Sequence, residues 1–328
     1  INLFFSEPLD SLMLTYTNNF DIDNGIEHPD SASLLGNDYT SVLLSLSVPL
    51  VPSIKYNLFL NQNITDFSGN HLSTECFAIA LPQTPIWNDI VINEVLFNPN
   101  IGGVDFVEIF NRSDKTVDLS KMLLANRNST TNQLDQVYST SDTSKLLFPN
   151  DYAVITISSV LVKEFYHTEN DKAFVNVSKV ASFNSDMGHV VLLTKELAII
   201  DELSYNEKMH SKLLNDFKGV SLERINPNLS SSSPSTWQSA AQTAGFATPT
   251  YKNSQWVEPL VKDDAFTLTP ETFSPDGDGK DDYLLISYKL PIDGCIANIK
   301  VFSANGIEVK RLGSNLLIGT EGTLTWDG

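Results

Sequence analysis

Ile90-Val91-Ile92-Asn93-Glu94-Val95-Leu96-Phe97-Asn98-Pro99, followed by Asp105-Phe106-Val107-Glu108-Ile109-Phe110-Asn111 and Val117-Asp118-Leu119-Ser120, is the stretch whose reading decides the fold. Each run is short, dense in β-branched and aromatic residues, and bounded by Asn, Asp, Ser or Pro, the pattern of strands joined by turns. The pattern continues in both directions: Val42-Leu43-Leu44-Ser45-Leu46 and Tyr56-Asn57-Leu58-Phe59-Leu60 before it, Tyr152-Ala153-Val154-Ile155-Thr156-Ile157 and Val190-Val191-Leu192-Leu193 after it. Many short strands with turn signals at about ten-residue spacing predict an all-β fold of tandem sandwiches. Helical pattern is confined to Val160–Tyr166, where Leu161 and Phe165 fall four apart, and to Glu207–Leu214, where Met209 and Leu213 do. Each is expected to make two turns at a sandwich end.

The 328 residues suffice for two or three domains with cores of their own. Hydrophobic residues are 41% and charged residues 19%, leaving a remainder rich in Asn, Ser and Thr that suits turns and exposed strand faces. Prolines in Leu81-Pro82-Gln83-Thr84-Pro85 remove ladder donors and mark one boundary. A second, less sharp boundary spans Ala247–Thr250 through Trp256-Val257-Glu258-Pro259. The expected domains are 1–84, 85–255 and 256–328, and Ser230–Ser235 is expected to be a mobile loop of the middle one. The net charge of −19, with 21 scattered Lys and Arg, argues against nucleic acid and acidic membrane faces as partners. No apolar run approaches the ~20 residues of a membrane helix, so direct membrane insertion is not expected, and a leader, if there is one, has been removed or lies upstream of Ile1. Cys76 and Cys295 fall in different expected domains and are read as unpaired, buried thiols.

Residues 90–120 also resemble the bacterial form of the lamin tail domain, with Lys121 and Met122 where that family has Gly and Trp. Gly219-Val220-Ser221-Leu222-Glu223-Arg224-Ile225, Trp237, Gly245–Thr250 and Asn253-Ser254 are similar to its closing strands, so the resemblance covers about 86–255. Phe5-Ser6-Glu7-Pro8-Leu9-Asp10, Tyr56–Leu60 and Ile64-Thr65-Asp66-Phe67-Ser68-Gly69-Asn70 resemble bacterial Ig-like domains; Asp66 and Asn70 can brace a turn in which Gly69 supplies positive φ. Phe273-Ser274-Pro275-Asp276-Gly277-Asp278-Gly279-Lys280-Asp281-Asp282, Ile299–Phe302, Gly306–Val309 and Trp326-Asp327-Gly328 are similar to the gliding-motility-associated and hook-cap Ig-like modules of Bacteroidetes proteins, with the last strands of the module expected to be missing. These resemblances imply a non-catalytic protein at the outer cell surface or secreted, of the type IX secretion kind, acting as spacer, adhesion or anchoring element. Its partners would be other surface proteins or glycans. The alternative is an ancillary or carbohydrate-binding region of an extracellular hydrolase.

Two groups of residues carry potential chemistry. Glu94 and Glu108 lie among apolar strand residues, where a carboxylate needs a partner, and Arg224 is the expected counter-ion in a structural brace; a paired-carboxylate site is the other reading. Asp276, Asp278, Asp281 and Asp282 place four carboxylates within seven residues, with Gly277 and Gly279 between them. Asp276, Asp278 and Asp282, with the Lys280 carbonyl as a fourth ligand and Asp281 turned away, could converge on Ca²⁺, which needs six to eight oxygens at about 2.3–2.6 Å. A solvated polar turn is the alternative. The chain carries no nucleophile elbow, zincin, phosphate-loop or dithiol motif, and His28, His71, His167, His189 and His210 stand apart in sequence, so no enzyme is expected.

Overall fold

The computed structural model describes residues 1–72, 76–212, 214–257, 265–290 and 294–328. Strand accounts for 40% of the protein and helix for 10%, so the fold is all-β, as expected. The described residues divide into two compact units: Ile1–Gln83 with Asp114–Asp118, and Thr84–Ser113 with Leu119–Gly328. The division at Gln83 falls within the proline-marked segment. The boundary expected near Trp256 falls inside the second unit, and Glu258 and Pro259 of that linker lie outside the described residues.

The first unit holds two three-stranded antiparallel sheets. One is ordered Asn2–Phe4, Ser41–Ser45, Ser31–Leu34, the other Phe20–Ile22, Tyr56–Leu60, Cys76–Ile79. Period-two patterning does its work here: Tyr56, Leu58 and Leu60 turn into a core with Phe20, Ile22, Val42 and Leu44, while Phe59 points out. The Asp66 turn forms as expected, its Oδ1 accepting the Ser68 and Asn70 N–H groups at 2.7 and 2.8 Å, with Gly69 at φ +87°. One expectation fails. Cys76 is exposed because it opens an edge strand with little burial on either face, and Cys295 is only half buried; neither forms a disulfide.

In the second unit a six-stranded sheet runs in the order Phe174–Asn176, Tyr152–Thr156, Phe106–Asn111, Ile90–Leu96, Leu222–Arg224, Trp237–Ser239, and a four-stranded sheet runs Leu134–Ser139, Met122–Arg127, Met187–Thr194, Ile199–Asn206. Every residue of Ile90–Leu96 is buried. Alternation vanishes there because both faces are covered: Leu96, Phe106 and Val154 pack under Val162, Tyr166 and Ala247, while the opposite face meets the four-stranded sheet. The helix Ser159–Phe165 forms where helical spacing was read, with Ser158 Oγ accepting the Leu161 N–H. It buries Val162 and Tyr166 and leaves Phe165 39% exposed, because the sequence offers two pairs four apart and the Tyr166 hydroxyl is fixed on the Gly219 carbonyl at 3.0 Å. The second expected helix is a single 3-10 turn, Glu207–Met209, ended by an extended His210; Leu213 lies outside the described residues.

The serine-rich run is anchored at Ser231 and at one short turn. Ser231 is buried with its hydroxyl on Asp201 and its carbonyl accepting the Trp237 indole N–H at 2.9 Å, and Pro234–Thr236 makes a 3-10 turn. The C-terminal segment builds a sheet ordered Phe266–Thr269, Leu284–Lys289, Glu321–Trp326 and a hairpin of Cys295–Phe302 with Glu308–Ile318. Tyr283 and Leu285 pack on Ile225, so this segment shares a small core with the sheet before it.

Candidate functional site

Three glutamates stand in a row across the six-stranded sheet. Glu94 is the register partner of both Glu108 and Glu223, and residues directly opposite share a face, so all three carboxylates project to the side covered by residues 246–255. All three are fully buried. A β-bulge between Ile92 and Glu94 resets the alternation of that strand and lets Glu94 face the same way as Glu108.

Like charges so aligned repel, and among the described residues no cation pairs with the row. Neutral donors, most of them from the covering segment with Ser221 and Asn93 besides, supply the partners instead. Glu94 Oε1 accepts the Ser221 hydroxyl at 2.5 Å and the Thr248 N–H at 2.8 Å. Glu108 accepts Asn93 Nδ2 at 2.9 Å and the Thr250 N–H at 2.6 Å. Glu223 accepts the Thr248 hydroxyl at 2.6 Å, the Ser254 hydroxyl at 2.8 Å and the Gln255 N–H at 2.9 Å. Burial pushes Glu94 well above the ordinary carboxylate range, reinforced by the charges of Glu223 and Glu108 and opposed by its hydrogen bonds. Burial likewise raises Glu108 to about 8 and lifts Glu223. The bond inventory points the same way. The Thr248 hydroxyl oxygen lies 2.6 Å from Glu223 Oε1 and 3.4 Å from Glu94 Oε2, so its one proton goes to Glu223 and a proton on Glu94 Oε2 would have the Thr248 oxygen as its acceptor.

Arg224 does not brace this row. Successive strand residues point to opposite faces, so Arg224 faces away from Glu223 and its aligned neighbours. Its counter-ion is Asp201 of the Ile199–Asn206 strand, with Nη1 to Oδ2 at 3.0 Å and both side chains fully buried. The same Asp201 oxygen accepts the Ile92 N–H at 2.8 Å, and Arg224 also donates to the Ile92 and Leu229 carbonyls. Burial lowers the Arg224 pKa, and the Asp201 charge opposes that. The one expected brace is thus two networks on opposite faces of one sheet, and reading the sequence missed Glu223 and Asp201. Glu223 was signalled by its place in the Leu222–Arg224 strand; Asp201 had no local signal.

The aspartate loop forms a third site. Ligand oxygens of Asp276, Asp278 and Asp282 lie within 4.8 Å of one another, a spacing that one Ca²⁺ with 2.3–2.6 Å bonds can bridge. Asp282 is fixed by the Gly277 N–H at 2.7 Å, the Gly279 N–H at 2.8 Å and Gln255 Nε2 at 3.1 Å. Lys280 lies in the same turn, its N–H on Asp278 Oδ1 at 2.7 Å, and Asp281 takes φ +54°. The loop docks on the preceding sheet through Gln242 N–H to the Gly277 carbonyl at 3.2 Å and the Thr243 hydroxyl to the Asp278 carbonyl. A cavity of about 100 Å³ beside it is lined by Asp276, Asp282, Asp327, Gln238 and Ser239.

Residues 84–207 match the family model described as Lamin Tail Domain. That family is Ig-like and non-catalytic, and the match takes in the strands bearing Glu94 and Glu108 while ending before Leu222–Arg224. No curated protein matches the chain. A solved structure of a DUF4876 family protein from Bacteroides thetaiotaomicron VPI-5482 is similar at 10% identity and a TM-score of 0.29, over 68% of this chain and 85% of that one. A score that low carries no argument about fold or function.

Proposed function

We propose that this protein is a non-catalytic, modular element of a secreted or outer-surface protein of Bacteroidetes type, serving as spacer, adhesion or anchoring piece. The observation that carries this reading is the sealed glutamate row: its carboxylates, which could have formed an acid–base pair, are fully buried and bonded to the segment that closes the sheet. Their chemistry holds a strap down. In the same proposal, residues 1–84 and 256–328 are Ig-like flanking modules, the partners are other surface proteins or glycans, and Asp276, Asp278 and Asp282 with the Lys280 carbonyl take Ca²⁺ to stiffen the joint at residues 241–255. Labelling of intact cells with antibody to this region, together with turnover assays on peptide, ester and glycan substrates, tests the reading. Surface labelling with turnover equal to buffer is expected; labelling only after lysis, or turnover above buffer, overturns it. For calcium, calorimetric titration should give a heat of binding that Asp278→Ala removes, and excess chelator should lower the melting temperature. No heat and an unchanged melting temperature reduce the loop to a polar turn.

A further inference from the structure

The four-stranded sheet opens at one end. Pairing of its two central strands runs from Met122↔Thr194 to Ala125↔Val191. Beyond that point Asn126 and Arg127 pair with Asp135 and Leu134, and Met187–Val190 pair with Leu203–Asn206, so the two hairpins carry separate ladders there. Asn126 Nδ2 bonds the Ser182 carbonyl at 2.8 Å, bringing the 182–186 loop to the gap. The result is a cleft of about 890 Å³.

Its walls are built stiffly. Gln136 is held at φ +46° in a bulged strand, a conformation costly for a side chain other than glycine. Gly188 is required because a Cβ there would lie 2.6 Å from the Tyr205 hydroxyl, which in turn bonds the Asn184 carbonyl at 2.8 Å. Arg127 is fixed by a two-pronged pair with Glu202 at 2.6 and 2.9 Å and by the Asn132 carbonyl at 3.0 Å. These bonds use three of the five guanidinium N–H donors, and Glu202 already supplies the opposing charge. Among the described residues, only the distant Asp276, Asp278 and Asp282 group has acids close enough for a metal ion. The cleft instead presents exposed side chains at Asn128, Gln136, Asn184 and Asp186, beside a Met187 side chain that is 57% exposed; backbone N–H groups hold Asn128 Oδ1, Gln136 Oε1 and Asp186 Oδ1, which orients the amide nitrogens and Asp186 Oδ2 for a ligand.

Planar amide and carboxylate groups pair with vicinal hydroxyls, and a thioether chain covers the C–H face of a sugar ring; a near-neutral, polar cleft of this size fits a neutral polyol chain. We infer that this cleft binds a neutral oligosaccharide. The inference rests on the reading as a surface adhesion element and names the ligand class of that element. The test is an amide-correlation NMR titration of the whole chain with manno-, xylo- and cello-hexaoses, with polygalacturonate and calcium chloride as ionic probes. A neutral hexaose is expected to shift the Gly188 amide and the Asn128 and Asn184 side-chain amides. Asn184→Ala, Asp186→Asn and Met187→Ala should each weaken binding about tenfold, with circular dichroism unchanged. Shifts with ionic probes alone, binding unaffected by all three substitutions, or no shift with any hexaose would overturn the assignment. A protein displayed on intact cells that binds no hexaose loses this site and keeps the proposed surface role.

Discussion

Glu108→Gln should flatten the pH dependence of the second unit's stability. In the native protein burial raises Glu108 from 4.5 to about 8, so the folded state holds a proton that the unfolded chain releases. Stability from this group is therefore full below about pH 4.5 and is lost as pH rises through about 8. The loss from about pH 5 to pH 9 is on the order of a few kcal/mol and is shared across the row, since the charges of Glu94, Glu108 and Glu223 raise one another. His210, which burial pushes down to about 4, acts in the opposite sense below its ordinary range, because folding excludes its proton. Glu202, held low by Arg127, loses its contribution only toward acid. Both cancel when the wild type is compared with the variant at each pH. Glutamine has one acceptor where Glu108 uses two, Oε1 for Asn93 and Oε2 for Thr250, so the variant should be weaker by about 1–3 kcal/mol at acid pH. The gap should then close or reverse toward pH 9. Urea unfolding followed by tryptophan fluorescence reads this unit, since Trp87, Trp237, Trp256 and Trp326 all lie in it. Parallel pH profiles for the two proteins, or wild-type stability that rises relative to the variant between pH 5 and 9, would refute the argument.

Removing Asp201 leaves Arg224 buried without its counter-ion, so Asp201→Ala should cost about 3–5 kcal/mol in urea unfolding, and adding Arg224→Met should recover part of that loss. Leu58→Ala opens a void in the first unit's core, where Leu58 is fully buried, and should cost about 2–5 kcal/mol by circular dichroism melting. Gly279→Ala combines φ +86° with a Cβ placed 2.7 Å from the Ala241 methyl, so it should pry the aspartate loop from the 241–243 turn and speed hydrogen exchange at the Gln242 N–H.

Strand positions were legible because the period-two signal is local. Tyr56–Leu60 and the core of Ile90–Leu96 were readable from their own residues, and so was the Asp66–Asn70 turn, whose carboxylate, glycine and amide lie within five positions. What failed depended on which face meets which neighbour. Val160–Tyr166 contains two pairs four apart, and only the position of the Gly219 carbonyl and the sheet beneath selects Val162 with Tyr166 over Leu161 with Phe165. Composition marked the serine run as a mobile loop within the middle domain, and it does not encode that the Ser231 hydroxyl and carbonyl close on Asp201 and Trp237.

The misplaced brace shows how far alternation alone can be pushed. Glu223 and Arg224 are neighbours in an extended strand, so one of them had to face away from any carboxylate row. Register then decides which. Glu223 opposite Glu94 puts the row on the strap side and sends Arg224 toward the second sheet, where a buried guanidinium demands an anion. Asp201 meets that demand from 23 residues away, and it also accepts the Ile92 N–H, tying the two sheets together. A shift of the Leu222–Arg224 strand by one residue would place Arg224 among the glutamates and leave Asp201 buried alone, so the charge pattern fixes this register more firmly than the surrounding apolar residues, which are buried on both faces.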